Sequence, residues 1–277
     1  MPNVLTQDQI ETYKRDGFLS PVTVMSPEEA GEFRKALEDA EAKWPEAFEG
    51  AGRNNSHLNL KFMDELVHDT RIVDAVEDLI GPNLLAYGTV LFIKEPNTPG
   101  FVSWHQDATY MGLTPYAEAT TVWLALSESN RETGCMRMVP GSHKDGIRSH
   151  VDTFAETNIL TRGQDIQNVD ESGIVDLELV PGQMSFHHMA VIHGSQPNLS
   201  DKRRIGFVIQ CYMKPEVSQK IKPVYAQHVR GDDPYGNFLA TPRASGNMVP
   251  EDVARRDHCN EIWSDILYHG AEKRRDY

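Results

Sequence analysis

LLAYGTVLFI, residues 84–93, is an unbroken apolar run rich in β-branched side chains, and Gly81-Pro82 precedes it. A short apolar run bounded by turn residues fits a strand buried on both faces. Four further runs follow: Thr120–Leu126 (TTVWLAL), Cys135–Val139, Ile174–Val180 (IVDLELV) and Arg204–Met213. Pro-Gly pairs at 140–141 and 181–182 punctuate them as turns between strands would. No helical pattern intervenes, so the expected core is an antiparallel sandwich or barrel rather than a βαβ fold.

Residues 1–81 read as a helical cover for that core. Gln7–Asp16 is one short helix. Ser26-Pro27-Glu28-Glu29 is a capping box with proline at the first helical position. Behind it Ala30, Phe33, Leu37, Ala40 and Trp44 form one apolar face. Asp69–Ile80 carries Ile72, Val73, Val76, Leu79 and Ile80 on one side. Residues 144–172 are polar and irregular, which suggests an insertion or lid over a site. Residues 216–277 form a C-terminal extension with one late helix around Glu251–Leu267. With no linker or repeat, the whole of 1–277 is expected to be one domain, with its β core at about 84–215.

The chain has 277 residues, 39% hydrophobic and 25% charged, which supports an ordinary buried core. Its net charge of −14 argues against nucleic acid or an anionic membrane as partner. Cys135, Cys211 and Cys259 are widely spaced, with no CxxC, which suggests a reducing compartment. No apolar run is long enough to span a membrane, and no secretion signal is visible, so the expected location is the cytoplasm. The phosphate-binding, dinucleotide, nucleophile-elbow and HExxH motifs are all absent.

Chemistry gathers at the histidines. In Trp104-His105-Gln106-Asp107 strand alternation would aim His105 and Asp107 at one point and Gln106 away. His193 lies much later, beside another strand-like run, and Arg204 opens the strand after it. Two imidazoles and a carboxylate on one face of a metal leave three positions open, as in non-haem Fe(II) oxygenases. Arg204 and Ser195 supply the cation and hydroxyl that the far carboxylate of a 2-oxoacid would need. His187 and His188 remain alternatives for the imidazoles, or are packed core histidines. A structural zinc site is another option, although zinc sites of that kind usually have four protein ligands.

Together these residues resemble the phytanoyl-CoA dioxygenase (PhyH) family of Fe(II)/2-oxoglutarate-dependent oxygenases. The resemblance runs from about Tyr13 to Tyr212 through an ordered set. Its members are Tyr13–Phe18 (YKRDGF), Trp104–Asp107, Val122-Trp123, Asn130, Gly134-Cys135, Val139–His143, Pro181-Gly182, His193–Ser195 and Arg204. It implies a double-stranded β-helix, or jelly roll, with flanking helices. It also implies His105, Asp107 and His193 as iron ligands, with Arg204, Ser195 and Trp123 around 2-oxoglutarate and O2 as the oxidant. Asp107 would occupy the position that related halogenases leave open for chloride, which favours hydroxylation. His188 falls before the ligand position and reads as a packed strand histidine.

The family's substrates include acyl-CoAs, amino acids, natural products and aminophosphonates. Without a basic patch for CoA, the expectation here is a small polar or zwitterionic metabolite, with 2-aminoethylphosphonate or an N-methylated relative as the sharper guess. Tyr110 and Thr109, just past Asp107, are candidate cavity residues. So are His57 and Asn59, on a segment that some relatives send into the site. Alternation from Arg204 adds Gln210 and Tyr212. A metal-binding jelly roll without turnover is the rival from another class.

Overall fold

The computed structural model describes residues 2–275. Its helices are α1 (Gln7–Asp16), α2 (Pro27–Lys43), α3 (Lys61–Val67), α4 (Thr70–Ile80), α5 (Ala108–Met111) and α6 (Pro250–Leu267). The first six strands are β1 (Phe18–Thr23), β2 (Leu84–Ala86), β3 (Thr89–Lys94), β4 (Val102–His105), β5 (Leu113–Thr114) and β6 (Ala119–Ala125). Next come β7 (Met136–Met138), β8 (Val151–Asp152), β9 (Gln164–Asp165), β10 (Val175–Leu177) and β11 (Gln183–His188). The last five are β12 (His193–Ser195), β13 (Arg204–Met213), β14 (Ser218–Gln219), β15 (Tyr225–Arg230) and β16 (Leu239–Ala240).

Two sheets make the jelly roll. The major one runs β1-β11-β6-β13-β2-β15-β16, with β3 also paired to β13, and the minor one runs β10-β7-β12-β4. Trp123, Ala125 and Val208 of the major sheet pack with Met136, Met138 and Leu177 of the minor sheet in one buried cluster. The other face of the major sheet buries Leu124, Phe186, Phe207 and Ile209 under Leu37, Leu66, Ile72 and Val76 of the helices. Each such side chain contributes roughly 1.5–3 kcal/mol on leaving water.

Local chemistry accounts for the helix ends. Thr6 and Gln9 form a reciprocal capping box at α1, Ser26 accepts from the Glu29 N–H at α2, and Asp69 accepts from the Arg71 N–H at α4. The run at 84–93 is two strands, not one. It breaks at Tyr87-Gly88, where the Tyr87 N–H donates to the Cys211 carbonyl and the Gln210 N–H to the Gly88 carbonyl. The cover of residues 1–81 also holds a strand: β1 pairs with β11, Phe18 opposite His187. Pro21 hides it in the sequence, and a sheet-edge position is where proline is tolerated. The extension beyond 216 joins the sheet too, through β15 on β2. There α6 buries Cys259, Ile262, Trp263 and Ile266 in a cluster with Tyr87 and Met111.

Candidate metal centre

β4 and β12 are antiparallel neighbours, with His105 opposite His193, so the two imidazoles are a cross-strand pair with ring centroids 4.1 Å apart. Asp107 joins them by a different route from strand alternation. The strand ends at His105, and Asp107 (φ −55°, ψ −39°) already has helical geometry at the start of α5. That bend returns its Oδ1 to 3.5 Å from His105 Nε2 and 3.7 Å from His193 Nε2. One ligand atom from each of the three lies within 4.8 Å of the others, and all three residues are buried.

The ring orientations suit metal binding. Each Nδ1 faces a carbonyl, Ser103 O at 2.9 Å for His105 and Val191 O at 3.1 Å for His193. A carbonyl only accepts, so Nδ1 carries the proton and the Nε2 lone pair faces Asp107. The other oxygen of Asp107 accepts from Thr121 Oγ1 at 3.0 Å and lies 3.1 Å from His187 Nε2. Burial alone would raise the Asp107 carboxyl, but the imidazoles of His193, His105 and His187 outweigh it and hold it well below the carboxylate range. That attraction needs positive charge on the facing side, which a bound cation would supply in place of a proton. Burial, then His105, pushes His193 down and keeps it neutral as a ligand must be. Gln106 points away, as expected: its Nε2 donates to the Gly146 and Ala190 carbonyls and its Oε1 accepts from the Arg148 N–H.

His187 is the neighbour that the sequence left open. Met184 and Phe186 of β11 face the helices, so alternation turns His187 toward the metal centre, opposite Thr121. His188 faces away and packs against His143, with centroids 5.1 Å apart.

At the far end of the site Arg204 is 1% exposed. Its Nη1 donates to the Gly134 carbonyl at 2.6 Å, its guanidinium lies 5.3 Å from the Trp123 ring, and its Nε has no partner. Burial pushes it down to about 10. Among the described residues no carboxylate pairs with it, so the arrangement lacks an anion. Ser195, also buried, lines the same cavity. Buried histidines with fixed tautomers, one carboxylate and an unpaired guanidinium fit a divalent metal together with an oxoacid.

Gly206 makes room for this end: a Cβ there would lie 2.1 Å from Trp123 Cζ2. Gly206→Ala is therefore expected to push the indole off its seat and, with 2-oxoglutarate placed as the family resemblance implies, to raise its KM on the order of tenfold. Steady-state kinetics checks the KM, and a changed tryptophan emission spectrum would report the displaced ring.

The site opens into a cavity of about 560 Å³. Tyr110 lines it, its hydroxyl unpartnered, as do Gln210 and Val208. Four expected cavity residues lie elsewhere. Tyr212 faces the helices and donates to the Val67 carbonyl at 2.7 Å. A bulge between Ile209 and Tyr212, with Cys211 at φ 98°, reverses the alternation there. Thr109 is exposed on the outer side of α5, near His150. Asn59 turns to Met248, and His57 is sealed against Thr89 Oγ1 at 2.9 Å. The wall near them comes instead from Phe48–Asn54. Further wall comes from Ile159–Thr161 and Gln164 of the 144–172 segment, from Tyr87, Val90 and Phe92 next to or on β3, and from Trp263, Ile266 and Tyr268 on or just beyond α6.

Burial takes His57 down to about 3 from an ordinary 6.5, so it folds neutral. The stability this gives is present above pH 6.5 and is lost as pH falls toward the folded value, approaching ~1.4 kcal/mol per pH unit. Chemical denaturation of wild type and His57→Gln as a function of pH should show a flatter acid limb for the variant.

Comparison with known proteins fits this geometry. The family profile described as Phytanoyl-CoA dioxygenase (PhyH) matches residues 13–206. A Dictyostelium discoideum phytanoyl-CoA dioxygenase domain-containing protein 1 homolog is 27% identical, over 74% of this chain and 90% of its own. A probable alpha-ketoglutarate-dependent hypophosphite dioxygenase of Stutzerimonas stutzeri is 30% identical, over 54% of this chain and 52% of its own. The matched stretch spans just under half of the Caenorhabditis briggsae and Danio rerio relatives, 46% and 44%. Among solved structures, the non-heme monooxygenase ThoJ superposes with TM-score 0.82 at 32% identity, covering 92% of this chain and 97% of its own. CytC3, at 22% identity and TM-score 0.66, shares the fold.

Proposed function

The chain belongs to the phytanoyl-CoA dioxygenase family, and from that premise we propose that it is an Fe(II)- and 2-oxoglutarate-dependent oxygenase hydroxylating an unactivated C–H bond of a small molecule. The observation that carries this is the buried cluster of His105, Asp107 and His193, with the unpaired Arg204 in the same cavity. The three would hold Fe(II), and Arg204, Ser195 and Trp123 the far end of 2-oxoglutarate. With the metal and oxoacid bound, O2 would be the oxidant, one oxygen atom ending in the succinate formed with CO2 from 2-oxoglutarate and the other in the hydroxyl of the product. Thr121 and His187 fix the Asp107 carboxylate; Asp107 in turn fills the position a halide would need. The apolar walls limit water around the reacting bond. We take residues 1–277 as one domain, because α6 and the Phe48–Asn54 segment both wall the cavity.

A metal-binding protein without turnover is the weaker reading, because the metal cluster and the unpaired cation occur together around open space. For substrate, a small polar or zwitterionic metabolite would meet Tyr110, Gln210, Glu49 and Arg53. The aminophosphonate guess has less behind it, since Tyr212 is not in the cavity. A volume of about 560 Å³ is in the range that holds drug-sized ligands. Tyr87, Phe92, Leu160, Trp263 and Ile266 on its walls favour a molecule with a sizeable apolar part beside its polar group. Screening aminophosphonates, zwitterions and larger amphipathic acids for substrate-dependent succinate separates these. A response from the larger acids alone supports a substrate with a sizeable apolar part, and silence across a broad panel counts against turnover.

A further inference from the structure

Across the major sheet from Arg204, at the paired position on β3, stands Lys94. It is 2% exposed. Its Nζ donates to Ser195 Oγ at 2.7 Å, to the Gly134 carbonyl at 3.4 Å and to the Gln196 carbonyl. Arg204 donates to the same Gly134 carbonyl. That carbonyl is fixed by its backbone: Gly134 has φ +74°, and a Cβ there would lie 2.3 Å from Gln196 O. Two buried basic side chains thus converge on one acceptor, and among the described residues neither has a carboxylate partner. The oxoacid reading uses Arg204 and Ser195 but leaves Lys94 without a role.

We propose that Lys94 is a positioning residue and the second cation of the 2-oxoglutarate subsite, an inference that rests on the cosubstrate reading above. As an ammonium it directs its three N–H bonds at Ser195 Oγ and the two carbonyls. The Ser195 hydroxyl, accepting from Lys94, is left to donate its own hydrogen to the carboxylate held by Arg204. Lys94 does not touch the cosubstrate; it sets the direction of the group that does and adds a positive charge behind it.

The charge is conditional. Burial, then the repulsion of Arg204, takes Lys94 down to about 6 in the ligand-free protein. The other titratable group acting on it is Cys135, whose thiol burial pushes up to about 11, so it stays protonated near neutral pH. The remaining groups facing Lys94 are the Ser195 hydroxyl and the two carbonyls. An arriving carboxylate favours the ammonium, so binding draws a proton onto Lys94.

The test is calorimetry of 2-oxoglutarate binding to the Mn(II)-loaded protein at about pH 7.5, in buffers of different ionisation enthalpy. Wild type should take up about one proton per site. Lys94→Met and Lys94→Gln should take up none and bind on the order of tenfold more weakly. Replacing a buried cation by an apolar chain of similar length is compatible with folding. Lys94→Gln keeps a donor for Ser195 without the charge. Wild-type affinity in Lys94→Gln, or wild-type proton uptake in Lys94→Met, would overturn the assignment. Wild type that fails to bind 2-oxoglutarate, or binds it equally well in Arg204→Met, would remove the cosubstrate reading and this inference with it.

Discussion

Substrate-dependent consumption of 2-oxoglutarate is expected to vanish in His105→Ala and in Asp107→Ala, with circular dichroism reporting an intact fold. Each substitution removes one of three side chains that converge from β4, the start of α5 and β12, and His187, the nearest other imidazole, is held on the second oxygen of Asp107 rather than in the cluster. The loss should exceed the ~10–100-fold typical of an outer partner such as Thr121, which touches only the carboxylate. The fold should survive because the His105 ring bonds only to a carbonyl of its own strand and faces a cavity. Asp107→Ala strips an acceptor from Thr121 and His187 but also takes a buried charge out of the interior. Turnover retained in either variant would show that the cluster is not the metal centre.

Arg204→Met should separate binding from stability. Truncating one partner of a buried charged pair costs ~2–5 kcal/mol, or about 30-fold and upward in 2-oxoglutarate affinity. The same change should leave the ligand-free protein no less stable, because the guanidinium is buried there without an acid. Thermal unfolding with and without 2-oxoglutarate reads both: wild type gains from the ligand, while the variant starts no lower and gains little. Equal gains would place the carboxylate elsewhere.

Much of this site was legible because its residue types are demanding. His105, Asp107, His193, Ser195 and Arg204 stood out as candidates by type and order, the family resemblance selected them and added Trp123, and all six line the same cavity. What the sequence concealed were departures from regular geometry. Period-two counting from Arg204 holds to Gln210 and fails at Tyr212, where the bulge at Cys211 turns the strand over. Asp107 reaches the centre by a bend rather than by alternation, so Thr109 beyond it swings outward. His187 was hidden beside His188, although the apolar Met184 and Phe186 marked its face. The walls were the least readable part. α6 buries Asp252, Arg256 and Asn260 as well as Ile262, Trp263 and Ile266, so it shows no single apolar stripe to place it. The Phe48–Asn54 wall sits a few residues before the His57 segment, which is packed against β3 instead.

The central claim is that His105, Asp107 and His193 hold one Fe(II) with half of its coordination sphere open to 2-oxoglutarate and O2. Anaerobic titration of Fe(II) into the protein, with 2-oxoglutarate present and the visible charge-transfer absorption recorded, addresses it directly. The prediction is one iron per chain and a band that needs both components, lost in His193→Ala and kept in His188→Ala. A band that survives in His193→Ala, or no band in the wild type, would contradict it.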